Sequence, residues 1–290
     1  FYFVENGSDG SRSASLFPLS PTIGIVDGEI RNKSLAGFGQ VIFEIVDGVR
    51  LTGGVRYTED TRRLVSRNRD QNFFSGAITS SIPEFLDGDA SDPFRATFKR
   101  KFNYWSYLAS ADWQAASNIF LYVKTSRSQR SGGFNTRAVV GGNPPVSFSP
   151  EEVTDYEAGA KIDLFDRHVR LNLAAFNSDV KNVQRSLIGV AGTRLISGVA
   201  NAASARIRGL EGELTVIPFD GLTLGANMGI TDAKYKRFIN ILDNTDWRDA
   251  AFPYTPKYTF GLTGDYEYEF AGAGTLRLRA GYGWRSKQFA

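Results

Sequence analysis

Side chains alternate with a period of two along residues 256 to 270, PKYTFGLTGDYEYEF. Tyr258, Phe260, Leu262, Gly264, Tyr266, Tyr268 and Phe270 fall on one face, and Thr259, Thr263, Asp265, Glu267 and Glu269 fall on the other. A period of two marks a strand with one apolar and one polar side. TLRLRAGYGWR, residues 275 to 285, repeats the pattern, with Leu276, Leu278, Tyr282 and Trp284 opposed to Arg277, Arg279 and Arg285. AGAG between the two runs predicts a hairpin. Residues facing each other across an antiparallel pair share a side of the sheet, so Glu267 is expected opposite Arg277 or Arg279.

The same parity applies to SLAGFGQVIFEI, the turn VDG and VRLTGGVRYTED. It sets Ile45 against Val49, Phe43 against Leu51 and Gly37 against Tyr57 on the apolar side, and Glu44 against Arg50 on the polar side. Gly48 is expected at positive φ at the end of its turn, and Tyr57 is expected to cover the bare Gly37. Further strands are predicted near 101 to 114, 117 to 129, 152 to 164, 168 to 184, 203 to 217 and 221 to 235. Most run about 12 residues or more, twice the usual length in soluble proteins. Tight turns at 46 to 48, 115 to 117, 165 to 168, 218 to 221 and 271 to 274 alternate with long polar stretches at 6 to 32, 61 to 100, 130 to 151, 185 to 202 and 236 to 255. In one up-and-down sheet, every short turn then falls at one end and every long loop at the other.

Composition narrows the chemistry. The 290 residues include 30 Gly, 22 Phe, 12 Tyr and 4 Trp, but a single His and no Cys. Disulfides, thiolate nucleophiles, Cys-based metal sites and multi-His cages are thereby excluded. The 34 basic and 31 acidic residues leave a net charge of +3, too balanced for a dedicated nucleic-acid binder. No run approaches the ~18 consecutive apolar residues of a spanning helix. A spanning barrel is favoured instead, because strands of this length tilted about 40° cross a hydrocarbon band of ~25 Å. Tyr and Trp near the strand ends suit the bilayer interfaces, and mixed charge on the polar faces suits a hydrated lumen. Open sheet edges are costly in lipid, so the barrel must close. The chain begins without an initiator Met and stops inside a periodic run, with Phe1 to Glu5 resembling the end of another strand. The expected fold is all-β, an antiparallel up-and-down transmembrane β-barrel, present as a fragment of about 10 to 11 strands.

Four segments together resemble consecutive parts of the barrel of a TonB-dependent outer-membrane receptor: 34 to 60, 122 to 137, 148 to 184 and 201 to 235. That resemblance implies a parent barrel of about 22 strands around a plug domain. Residues 1–290 would then be a partial barrel domain, with the plug and the closing C-terminal strands outside it. It further implies a monomer in the outer membrane of a Gram-negative bacterium, in contact with outer-membrane lipid and energised by TonB through an N-terminal part. The substrate expected from family frequency is a ferric siderophore, a transported chelate and not a cofactor. A passive porin is the alternative, and a soluble propeller-like binding module is a weaker one.

Candidate binding residues lie in the long connections. SRSQRSGGFNTR brings Arg127, Arg130, Phe134, Asn135 and Arg137 to a strand exit. On the functional reading their guanidinium and aromatic groups meet an anionic or chelated ligand at the barrel mouth. On the structural reading Gly132 and Gly133 bend the chain while the arginines are solvated or pair with lumen acids. TRRLVSRNRD, residues 61 to 70, places Arg62, Arg63, Arg67 and Arg69 in another outer loop, to attract anionic substrates or surface-lipid phosphates, or simply to be solvated. Trp247 and Tyr254, with Phe73, Phe74 and Phe252, suit stacking on a ligand or packing between loops. His168 reads as a turn residue, and no nucleophile–base pair, Walker loop or HExxH motif supports catalysis, metal binding or a cofactor.

Overall fold

A computed structural model describes residues 2–14, 22–72, 74–80, 95–135, 147–191, 194–240, 244–270, 272 and 274–289. The described residues form strands and no helix. In chain order these are β1 (Tyr2–Ala14), β2 (Thr22–Val46), β3 (Val49–Asn72), β4 (Ile78–Ser80), β5 (Arg95–Ala116), β6 (Ile119–Arg130), β7 (Gly133–Phe134) and β8 (Ser147–Phe148). Then come β9 (Glu151–Leu164), β10 (Val169–Ala191), β11 (Arg194–Phe219), β12 (Leu222–Asn240), β13 (Thr245–Asp246), β14 (Tyr258–Phe270) and β15 (Gly274–Arg285). One path, β1-β2-β3-β5-β6-β9-β10-β11-β12-β14-β15, makes the wall. All its pairings are antiparallel, and β1 and β15 end it without pairing to each other. The wall is an open segment of an up-and-down barrel, of the strand number the alternation predicts.

Parity sets most of the register correctly. Glu267 faces Arg277, Phe43 faces Leu51, Glu44 faces Arg50 and Gly37 faces Tyr57. Two local expectations are corrected. Val49 pairs with Val46 and not Ile45, because a bulge after Glu44 inserts one extra residue before the turn, while Gly48 takes φ 75° as expected. Tyr57 does not cover Gly37, whose space is empty within 4 Å; its ring leans instead on Trp105, 5.0 Å away. Glycine covering does occur on the polar face, where a Cβ on Gly159 would meet the Tyr122 ring at 2.5 Å.

Strand lengths correct the loop boundaries. Residues 61 to 70 continue β3, paired with both β2 and β5. Residues 185 to 202 are largely hairpin as well, with β10 running to Ala191 and β11 starting at Arg194. In these extensions strict apolar alternation lapses, as adjacent Leu64 and Val65 are both buried, while the backbone ladder continues.

The apolar parity of the wall strands from β3 to β15 points outward. Leu51, Val55, Trp105, Trp113, Val123, Tyr156, Leu173, Leu210, Leu224, Met228, Leu262, Leu278 and Trp284 are all exposed there. Tyr57, Trp105, Tyr156, Tyr258 and Trp284 lie toward the long-connection end of this band, and Trp113, Phe219, Tyr266 and Tyr268 toward the tight turns. These are the two aromatic girdles of a spanning barrel. The opposite face carries charge pairs: Arg277 Nε donates to Glu267 at 3.0 Å, Arg170 Nε to Asp163 at 2.7 Å, and Lys124 Nζ lies 2.9 Å from Glu157. His168 sits in the turn before β10, its Nδ1 2.7 Å from the Phe165 carbonyl.

A phase change crosses three strands at one height. Register shifts fall between Val180 and Gln184 on β10 and between Ser204 and Ala205 on β11, where β11 also shifts against β12. In a strict alternation Val180 and Val183 would face opposite ways, yet both join one buried cluster with Leu187, Ala203, Ala205, Tyr235 and Phe238. This cluster is the core at the outer end of the wall, and Phe252 packs on it.

Candidate ligand-entry site at the barrel mouth

The lumen side of the outer strand ends gathers cations and rings. Arg62 on β3 faces Arg100 on β5, and both keep the lumen parity of Arg56 and Tyr104. Arg100 lies 5.1 Å from the Phe102 ring centroid. Tyr104 Oη donates to Asp60 at 2.6 Å, and Arg62 approaches the same carboxylate at 3.6 Å. Burial acts to raise Asp60, but hydrogen bonds from Ser34, Tyr104 and Ser131 and the charge of Arg62 outweigh it, so the carboxyl titrates below its ordinary range. Burial and then Asp60 push the Tyr104 hydroxyl far above the usual phenol range. Across the mouth, Arg185 sits over the rings of Tyr235 (5.6 Å) and Phe252 (5.1 Å), and its buried Nε makes no hydrogen bond among the described residues.

Side-chain amides hold the connection after β6 against β10 and β11. Asn135 is buried and grips the backbone of Val199 twice, donating at 3.0 Å and accepting at 2.7 Å. Gln184 Nε2 donates to the carbonyls of Ser131 (3.0 Å) and Ser149 (3.1 Å). Asn201 accepts from the Ser149 amide at 2.6 Å and donates back to its carbonyl at 2.9 Å. Arg62 Nε donates to Ser131 Oγ at 3.2 Å, tying β3 to the same seam.

The residues singled out in the sequence separate. Arg130 keeps the lumen parity of β6, opposite Glu151, and is exposed. Phe134 is half-buried against Phe98, ring centroids 6.2 Å apart. Asn135 is a structural tie. Arg127 takes the other face: it shares the parity of Tyr107, Val123 and Thr154, lies 5.5 Å from the Tyr107 ring and 3.6 Å from Glu152. Trp247 stacks edge-on against Phe238 at 5.5 Å, and Tyr254 is 72% exposed, its amide donating to the Phe289 carbonyl at 2.8 Å. Arg137 and Phe73 lie outside the described residues. Of the 61 to 70 run, Arg62 belongs to the mouth. Arg100, Arg185, Asp60 and Gln184 were not singled out, and only the lumen parity of Arg100 carried a local signal.

The geometry is that of a membrane barrel with an Arg- and aromatic-lined outer mouth. Residues 3–290 match the family described as TonB dependent receptor-like, beta-barrel. The chain belongs to the TonB-dependent receptor family. A metal-pseudopaline receptor of Pseudomonas aeruginosa, CntO, is 29% identical over 156 residues, 54% of this chain and 20% of CntO. The ferric yersiniabactin uptake receptor FyuA from Yersinia pestis has the same fold, with TM-score 0.70 at 18% identity over 96% of this chain and 38% of that one. The siderophore receptor PiuA from Acinetobacter baumannii gives TM-score 0.56 at 17% identity over 91% of this chain and 34% of its own. The chain thus spans well under half the length of these relatives. TonB-dependent receptors are Gram-negative outer-membrane proteins, which sets the tight turns in the periplasm and the long connections outside.

Proposed function

We propose that this barrel wall belongs to an active importer that captures an anionic metal chelate, first of all a ferric siderophore, and draws energy from TonB through a part of the receptor beyond this chain. The observation that carries the reading is the lumen-side mouth, where Arg62, Arg100, Arg130 and Arg185 accompany Phe98, Phe134 and Phe252. Guanidinium forks suit carboxylate, catecholate or hydroxamate oxygens, and rings suit the flat parts of a chelator. Phe38 and Ile42, lumen-facing and 74% and 62% exposed, offer apolar surface to a plug occupying the barrel. The proposed role is transport without catalysis, by a monomer surrounded by lipid.

Uptake of radiolabelled ferric siderophores by a receptor-deletion strain, complemented with the complete receptor, tests this. Saturable uptake that stops when TonB is removed is expected. The pair Arg100→Ala and Arg130→Ala should weaken chelate binding by about tenfold or more, as lost charge-assisted contacts do. Non-saturable passage independent of TonB would replace the importer with a passive channel.

A further inference from the structure

The wall is uneven in height at the mouth. The β6–β9 ladder stops at Arg130 and Glu151, the β5–β6 ladder at Tyr107 and the β9–β10 ladder at Lys181. β5 runs on past its ladder to Arg95, and β10 runs on to Ala191. A gap three strand spacings wide, roughly 14 Å at about 4.8 Å each, therefore opens above β6 and β9 between two tall flanks. The described ends of the connection after β6, residues 131–135 and 147–150, cross it, and β7 pairs with β8 there.

The two flanks hold this crossing differently. On the β3–β5 side its contacts are to the mouth itself. Arg62 donates to Ser131, Arg100 donates to Ser147, Phe134 rests on Phe98, and a Cβ on Gly132 would meet the Phe102 ring at 2.6 Å. On the β10–β11 side the contacts run between side-chain amides and backbone. Asn135, Gln184 and Asn201 make six such bonds, and Asn135 and Gln184 are both buried. Gln184 owes its aim to the bulge in β10. Asn182 takes φ 54° there and its carbonyl accepts from Asn201 at 2.8 Å; beyond the register shift Arg185 turns onto Tyr235 while Gln184 turns to the gap. The Gln184 amide N–H also donates to Glu151 at 2.7 Å, at the foot of the gap. Lifting the crossing would break all six amide bonds together and strand buried amides without partners.

We propose that Gln184 is a positioning residue that makes this crossing a fixed part of the mouth. It holds Arg62, Arg100 and Phe134 in place before a chelate arrives, and the crossing stays where it is throughout import. The inference takes its ligand from the import reading and its rigidity from the geometry alone. Groups set in advance cost an incoming ligand no ordering, so the consequence is affinity, with no change in the rate of transport.

Hydrogen exchange of the complete receptor in detergent, without ligand, tests the rigidity. The amides of Ser149 and Val199, which donate to Asn201 and Asn135, should exchange as slowly as those of β10. Gln184→Ala should quicken exchange in 131–135 and 147–150 about tenfold or more, because two buried carbonyls lose their donor, and should leave β14 and β15 unchanged. Uptake of radiolabelled ferric siderophore by the complete receptor tests the role. Gln184→Ala should raise the half-saturating concentration about tenfold at an unchanged maximal rate, and a disulfide joining Ser149→Cys to Asn201→Cys in the same variant should restore it. Fast exchange of Ser149 and Val199 in the unaltered receptor would overturn the proposal, as would unchanged half-saturation in folded Gln184→Ala. So would uptake that this disulfide blocks in an otherwise unaltered receptor and that reduction returns, since the crossing would then be a moving flap. If no ferric siderophore is taken up at all, the import reading falls, and hydrogen exchange still decides whether the crossing is fixed.

Discussion

Leu262 and its neighbour Thr263 give the sharpest test of which way the wall faces. Leu262 stands between Ala226 and Tyr282 on the apolar side, and Thr263 between Gly225 and Gly281 on the polar side. Tyr258 and Tyr266 lie four residues to either side of Leu262. At ~3.4 Å per residue and a tilt of about 40°, each girdle is ~10 Å away, so Leu262 sits close to the bilayer midplane. Arg placed there is expected to cost about 2 to 4 kcal/mol, a factor of about 30 to 900 in the folded-to-unfolded ratio. Arg at 263 projects into the lumen, where the flanking glycines leave it room and Asp265 shares its face, and should cost well under about 1 kcal/mol. The assay is urea titration of the complete receptor refolded into lipid vesicles, followed by the gel-mobility shift of the folded barrel. Equal losses for Leu262→Arg and Thr263→Arg, or a larger loss for Thr263→Arg, would refute the assignment of lipid and lumen faces.

Two further outcomes follow from named contacts. Gly159→Ala drives a methyl into the Tyr122 ring, which is held by its hydrogen bond to Glu157 at 2.7 Å; a loss of about 1 to 3 kcal/mol is expected in the same urea assay, largely rescued by adding Tyr122→Leu, and a neutral Gly159→Ala would show that the ring does not rest there. Asp60 has a depressed native pKa, so its stabilisation of the β3–β5 extension is complete above the ordinary carboxyl value and is lost as pH falls through the native value; hydrogen exchange of Tyr104 and its neighbours should quicken with acidification, and the same pH dependence in Asp60→Asn would contradict this.

How much of this was legible along the chain depends on how local the cause is. The β14–β15 hairpin and the Glu267–Arg277 pair could be read directly, because period two and a glycine-rich turn determine both. The outer boundaries could not, since strict alternation lapses in residues 61 to 70, where adjacent Leu64 and Val65 are both buried, and their strand shows itself only in the pairing to β2 and β5. Ring direction was hidden as well: Tyr57 is opposite Gly37 as parity requires, yet its side chain follows Trp105 on the other neighbour. At the mouth, Asn135 read as a ligand contact and is a tie to Val199, 64 residues away, a partner that no local pattern indicates. Arg127 read as a mouth residue, and the β6 register sets it on the outward face instead.

The phase change across β10, β11 and β12 has a consequence for how such a wall tolerates variation. A membrane-spanning strand has a reading frame, in which losing or gaining one residue turns every later side chain to the wrong side. Where that frame is already reset by bulges at a common height, an insertion or deletion farther out leaves the greasy belt below untouched. The exposed crown can therefore change in length and sequence while the part inside the lipid keeps its register.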